Sequence, residues 1–322
     1  MGWLRKGLLL LALGLAGCSD ASFDIAPPSA SIRGNRDGEG SQTWPVSISN
    51  ASPSIRDEIT VASWNIQVLG ESKIEKSEVM EVIVDVIRRF DVIAIQELRA
   101  KDQTFADRFL SRVNSDGSAY DVVVGPRLGR SSSKEQYLYL YDTNRIELID
   151  GSVYTINDQH DLLHREPLVA SFRVIGALSG TPWNFTLVNI HTDPDEVDAE
   201  VDVLDDVIRL VRDTDSEDDV ILLGDLNANP QQLGELAEIP NVMWTVAGVP
   251  TNTRGTKSYD NMLFSGTSTS EFTGVAGVLD LQHEYALTET EAIRVSDHLP
   301  VWAAFAPVEE MTRTASAAGT RR

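Results

Sequence analysis

Cysteine is almost absent from this chain of 322 residues: Cys18 is the only one, so no intramolecular disulfide can form. Histidine is scarce too, with five residues. Positive charge is in short supply, with 27 Lys and Arg against 49 Asp and Glu and a net charge of −22. No internal repeat divides the sequence, and no glycine-rich nucleotide loop accompanies its apolar runs. Beyond the first 17 residues, no apolar run is long enough to cross a bilayer.

The one long apolar run is N-terminal. Arg5 and Lys6 precede Leu8-Leu9-Leu10-Leu11-Ala12-Leu13-Gly14-Leu15-Ala16. A basic start and a core too short to span a membrane comfortably read as a secretory signal. Leu15-Ala16-Gly17-Cys18 closes it and resembles a bacterial lipobox, which makes Cys18 the expected lipidation site. The expectation is an exported lipoprotein at the cell envelope or cell surface, held to the membrane through Cys18. The alternative is a protein secreted behind an ordinary signal peptide.

Residues 1–17 are thus read as signal and 18–56, rich in Ser, Pro, Gly and Asn, as a tether that buries too little surface to order. Residues 57–307 are long enough for one large domain, and 308–322 lose the apolar pattern and form a tail. Helical stripes are predicted at Val79, Val82, Ile83, Val86 and Ile87, and at Val197, Val201, Leu204, Val207, Ile208 and Val211. Tyr120–Val124, Tyr137–Tyr141, Leu168–Val174, Met262–Phe264 and Val301–Phe305 read as strands. Many short strands with helices between them favour an α/β fold of two packed sheets flanked by helices. A Rossmann-like parallel sheet is the alternative.

Five polar motifs stand beside apolar runs: Ser63-Trp64-Asn65-Ile66, Gln96-Glu97, Asn189-Ile190-His191, Gly224-Asp225-Leu226-Asn227 and Ser296-Asp297-His298. Asp91–Ile95, Phe185–Val188 and Val220–Leu223 precede three of them, so the polar groups fall at strand ends. Carboxylates, amides and imidazoles delivered from several strand ends suit metal-assisted cleavage of a phosphate ester.

In order and spacing these motifs resemble the endonuclease/exonuclease/phosphatase superfamily. Leu128–Tyr139, His164-Arg165-Glu166-Pro167-Leu168-Val169 and Ser258-Tyr259-Asp260 narrow the resemblance to the pancreatic-type deoxyribonuclease I group. It spans roughly Val61 to Phe305. It implies a four-layered α/β sandwich, deoxyribonuclease I-like, with two mainly antiparallel sheets. It also implies a divalent-metal-dependent endonuclease acting on phosphodiester bonds in DNA.

The resemblance makes Glu97 the central metal ligand, with Asn65, Asp225 and Asp297 in the same acidic pocket. Their hard oxygens suit Mg²⁺ or Mn²⁺ rather than zinc. His298 with Asp260, and His191 with Glu135, resemble two pairs in which a carboxylate orients an imidazole for acid–base work. Asp225 belongs to the catalytic set as well. Arg165 and Arg130 are the expected phosphate grips, and Asn227 an uncharged donor in a turn-forming sequence. His160, His164 and His283 have no motif partner and read as structural or solvated. Asp161 and Glu166 match positions of a structural Ca²⁺ site, in a shorter loop.

Three departures qualify the expectation. Ser133 stands where relatives place a tyrosine against a deoxyribose, and the relatives' disulfides are missing. The third is charge: residues 1–17 hold Arg5 and Lys6 and no acid, so the remainder carries −24. Such an average repels a duplex, so weak DNA binding through phosphate contacts by a monomer is expected. The run Asp213–Asp219 reads as a solvated loop. The alternatives are another phosphoesterase of the superfamily, acting on sphingomyelin or an inositol phosphate, and an inactive lipoprotein binding module.

Overall fold

A computed structural model describes residues 47–49, 58–130, 132, 134–177, 180–215 and 217–309. The lipobox, Cys18 and Ser133 lie outside the described residues.

Two mixed sheets form the centre. The first runs in the order β1 (Ser47–Ser49), β13 (Phe272–Val278), β14 (Val301–Phe305), β2 (Ile59–Leu69), β3 (Val92–Leu98), β5 (Gln136–Asp142), β4 (Tyr120–Val124). The second runs β11 (Val242–Trp244), β12 (Asp260–Ser265), β10 (Val220–Asp225), β9 (Asn184–His191), β8 (Leu168–Val174), β6 (Ile146–Leu148), with β7 (Tyr154–Thr155) also on β8. Neighbours pair antiparallel except β1 with β13, β2 with β3 and β9 with β10. Helices α1 (Glu71–Ile74), α2 (Ser77–Ile87), α3 (Phe105–Val113), α5 (Leu281–Glu284) and α6 (Glu289–Val295) belong to the first sheet's side. Helix α4 (Val197–Asp215) covers the second. This is the four-layered α/β sandwich.

Strand periodicity builds the layers. In β9 and β10, Phe185, Leu187, Ile221 and Leu223 join the central core, whereas the alternate Val188, Ile190, Val220 and Leu222 pack with Val201, Leu204, Val207 and Val211 of α4. The two sheets meet through aromatic rings: Tyr139 stands edge-on to Phe172 at 5.6 Å, and Trp183 stacks on Phe305 at 4.8 Å.

Polar ties also cross the core. Gln96 Nε2 on β3 donates to Asn189 Oδ1 on β9 at 2.7 Å and to Ser63 Oγ on β2 at 3.1 Å. Tyr139 Oη donates to the carbonyls of Leu168 and Leu187 at 2.7 and 3.0 Å.

At both ends of the domain the pairing runs further than the apolar pattern shows. Ser47–Ser49, inside the stretch read as tether, pairs with β13, and Val308 bridges Pro182. Each addition offers a single aliphatic residue, too few to register as periodicity. Asp219, read as part of a solvated loop, is instead buried immediately before β10.

Candidate active site

Register places the catalytic candidates side by side. His191 ends β9 and is the partner of Asp225 at the end of β10, which is in turn the partner of Asp260 at the start of β12. The inner faces of β9 and β10 thereby run out into His191 and Asp225. Gly224 permits the close strand approach there: a Cβ at this position would meet the Ile190 carbonyl oxygen at 1.8 Å, and φ is +151°. Only glycine fits.

From the first sheet, β2 brings Asn65 and β3 brings Glu97. Glu97 has a left-handed backbone, φ +64°, where the pairing of β3 with β5 shifts register. A non-glycine residue held there is strained, and such strain concentrates at functional sites. Its carboxylate accepts from Val68 N–H at 2.9 Å and Asn65 Nδ2 at 3.4 Å, and pairs with Arg99 Nε at 3.1 Å.

The two imidazoles are held alike. His191 Nδ1 lies 2.8 Å from Glu135 Oε1, and His298 Nδ1 lies 2.9 Å from Asp260 Oδ2. Their Nε2 atoms each stand 3.5 Å from one oxygen, Asp225 Oδ2, which also accepts from Asn65 Nδ2 at 3.0 Å. Burial would push the Asp225 carboxyl up, but the His298 and His191 charges win and hold it below the usual range. Burial likewise opposes the charged imidazoles, yet Glu135 raises His191, and Asp260 with Asp225 pushes His298 up to about 11.

The remaining motif residues build the frame. Trp64 Nε1 donates to the His298 carbonyl at 3.0 Å. Ser296 Oγ donates to the Asn65 carbonyl at 2.6 Å and accepts from His298 N–H at 3.1 Å. Thr251 Oγ1 donates to Asp260 Oδ2 at 2.7 Å.

Does the pocket fit a divalent ion? Asn65 Oδ1 and Asp297 Oδ1 are buried atoms without a hydrogen-bond partner. Bare buried acceptors cost roughly 1–3 kcal/mol each. Together with the Glu97 carboxylate they form a hard-oxygen set that a cation would satisfy. Asp225, Asp260 and His298 also offer atoms within 4.8 Å of one another. The residues fit.

The two expected phosphate grips already have protein partners. Arg165 is buried, and its Nε and Nη2 donate to the carbonyls of His191 and Thr192 at 2.9 and 3.0 Å. With its Nε 3.5 Å from Glu135 Oε1, it clamps the His191 pair. The Arg130 guanidinium is engaged by Asp161 and Glu196. Asn227 takes the turn role, with φ +48°, and its Nδ2 donates to the Thr192 carbonyl at 2.9 Å.

Asp161 is occupied by Arg130, and neither Asp161 nor Glu166 joins a cluster of three acidic or imidazole ligands among the described residues. That leaves the expected calcium loop without a carboxylate cage. His164 does have partners: Nδ1 lies 3.2 Å from Asp193 Oδ2, and Nε2 accepts from Arg130 N–H at 3.3 Å.

Three site residues were missed. Arg99 bridges Glu97 and Glu135, Gln67 Nε2 donates to Asp297 Oδ2 at 2.9 Å, and buried Lys73 sits beneath them, donating to the carbonyls of Gln67 and Val295. Burial pulls the Lys73 ammonium down to about 8 against the raising charges of Asp297 and Glu97. The sequence held one signal: Arg99 follows Glu97 by two residues, close enough to reach its carboxylate.

The endonuclease/exonuclease/phosphatase family model matches residues 62–298, so the chain belongs to that family, whose members are hydrolytic phosphoesterases. Within it the chain is deoxyribonuclease I-like. It is 32% identical over 253 residues to human deoxyribonuclease-1-like 1, covering 75% of this chain and 82% of that one. Against bovine deoxyribonuclease-1 it is 30% identical over 258 residues, covering 76% and 90%. A family protein from Bacteroides thetaiotaomicron shares the fold with a TM-score of 0.56 at 16% identity, over 77% of this chain and 94% of that one.

Proposed function

We propose that this chain is a metal-dependent endonuclease that hydrolyses phosphodiester bonds in extracellular DNA. The observation that carries the reading is the convergence of two carboxylate-held imidazoles, His191 and His298, on Asp225 Oδ2. Hydrolysis of a phosphodiester needs a proton taken from water and one given to the leaving oxygen, and two imidazoles can divide those tasks when one is neutral, as the charge of a cation bound beside Asp225 would make it. Glu135 and Asp260 fix each ring through Nδ1 and leave each Nε2 facing the reaction centre. Asn65, Glu97 and Asp297 would hold Mg²⁺ or Mn²⁺, whose charge would offset that building on the phosphate.

A groove of about 580 Å³ runs beside Asn227, lined by Pro230, Gln231, Lys257 and Tyr259 among others. It offers a strand a path with one lysine rather than a basic face, in keeping with weak binding by a monomer. Export, with a lipid anchor at Cys18, belongs to the same proposal on the strength of Arg5, Lys6 and Leu15-Ala16-Gly17-Cys18.

The competing reading is a phosphoesterase of the family acting on a phospholipid or an inositol phosphate. Supercoiled plasmid, sphingomyelin and an inositol phosphate, each offered with Mg²⁺ and with EDTA, separate the two. Metal-dependent nicking of the plasmid is expected. Turnover of either small substrate with an intact plasmid would reverse the assignment.

A further inference from the structure

At the end of the sandwich away from the imidazoles, carboxylates from both sheets meet again. Asp219 immediately precedes β10, Glu271 precedes β13, and Glu309 follows β14. One oxygen of each lies within 4.8 Å of the others. Their backbones are fixed: Thr186 N–H donates to the Asp219 carbonyl at 2.8 Å, Ala306 N–H to that of Glu271 at 2.7 Å, and Glu309 N–H to that of Thr181 at 3.0 Å. Glu217 stands alongside, its Oε1 accepting from Asp219 N–H at 3.2 Å.

One buried oxygen of the cluster is left without a hydrogen bond. Asp219 is 4% exposed, and its Oδ1 has no hydrogen bond. Its other oxygen accepts from Trp183 Nε1 at 3.2 Å. Thr269, 1% exposed, sets its hydroxyl beside the same carboxylate. The charges that act most on Asp219, Glu217 and Glu309 are all negative. Burial, then Glu271, pushes the Asp219 carboxyl up to about 8.

We propose that Asp219, Glu271 and Glu309 form a Ca²⁺ site that joins the two sheets at the end remote from the catalytic groups. All three offer hard carboxylate oxygens, the ligands Ca²⁺ takes. Mg²⁺ dehydrates reluctantly and is seldom held by an all-protein cage, so a buried set of carboxylates favours the larger ion. Thr269 Oγ1 adds a neutral oxygen. The site shares no residue with Asp161 and Glu166, and it does not depend on which phosphate ester the enzyme cleaves.

Thermal unfolding with Ca²⁺ against EDTA provides the test, on the full chain carrying Glu97→Gln to weaken binding at the catalytic end. Ca²⁺ at about a hundredfold excess over Kd should raise Tm by roughly 5–10 °C. Glu309→Gln, at the edge of the cluster, should weaken the Ca²⁺ response ~10-fold or more. Asp219→Asn should abolish that response while being no less stable than its parent in EDTA. Tb³⁺ supplies a second measurement. Trp183 touches the site and should sensitise Tb³⁺ emission, and that emission should fall in both cluster variants. No Ca²⁺ shift, or a shift and Tb³⁺ emission unchanged by both substitutions, would overturn the site.

Discussion

The two ends of the sandwich solve the same electrostatic problem in opposite ways. Each gathers buried carboxylates from around the strand ends of both sheets, and β10 links the two, with Asp219 just before its start and Asp225 at its finish. At the catalytic end the protein supplies countercharge itself, and His191 and His298 keep Asp225 ionised. At the remote end an indole, a hydroxyl and further carboxylates surround Asp219, which burial and Glu271 force up to about 8. Burial alone therefore does not decide the charge of a carboxylate. The neighbours decide it, over the ~20 Å that separate the ends of a six-residue strand and its flanking residue.

The comparison breaks most visibly if the imidazoles are removed. His191→Ala and His298→Ala should each lower kcat for plasmid nicking by ~10²–10⁴-fold. Because both act on one transition state, the double variant should lose less than the product of the two. Additive losses would mean that the rings work in separate steps.

Arg165→Lys comes next. A clamp on the His191 carbonyl should reveal itself as a fall in kcat of up to ~100-fold from a misplaced ring, with KM little changed. A rise in KM alone would restore Arg165 to the role of phosphate grip.

The remote end is tested by pH. In EDTA, the raised Asp219 carboxyl favours the fold while it is protonated. That contribution is complete below the unfolded value near 3.8 and is lost as pH climbs through about 8. Stability of the metal-free protein should therefore decline across this window, and Asp219→Asn should flatten the decline. An equally steep profile in the variant would assign the titration to another group. The smallest effect is expected at exposed His283, whose replacement by Ala should leave nicking rates near the parent value.

Most of the site could be read from the sequence because strand ends deliver it. Runs such as Val220–Leu223 name their faces by alternation, and the polar residue that follows inherits a position. Glu97, Glu135, His191, Asp225 and Asp260 come together for that reason, joined by Asn65 from within β2 and by Asp297 and His298 from the segment before β14. Side-chain partners were not readable in the same way. An arginine in a motif looks the same whether its donors reach a ligand or, as in Arg165, a pair of carbonyls. Strand β13 escaped notice because Phe272–Val278 contains two glycines, and Gly274, at φ +82°, sits where the register shifts. Helix α3 offers only Phe105, Phe109 and Val113, a stripe one residue wide. The remote cluster draws single acids from distant points of the chain, and no local pattern joins them.

The tie between Gln96 and Asn189 has a mechanical consequence. The reaction centre is divided between two sheets that otherwise touch mainly through apolar surface, and apolar surfaces resist separation better than they resist sliding. A hydrogen bond one residue from Glu97 and two from His191 works as a dowel pin between two plates. Were the pin removed, small lateral slips would misalign the halves of the centre long before the layers came apart. Heating such a protein would silence it while its sheets still held.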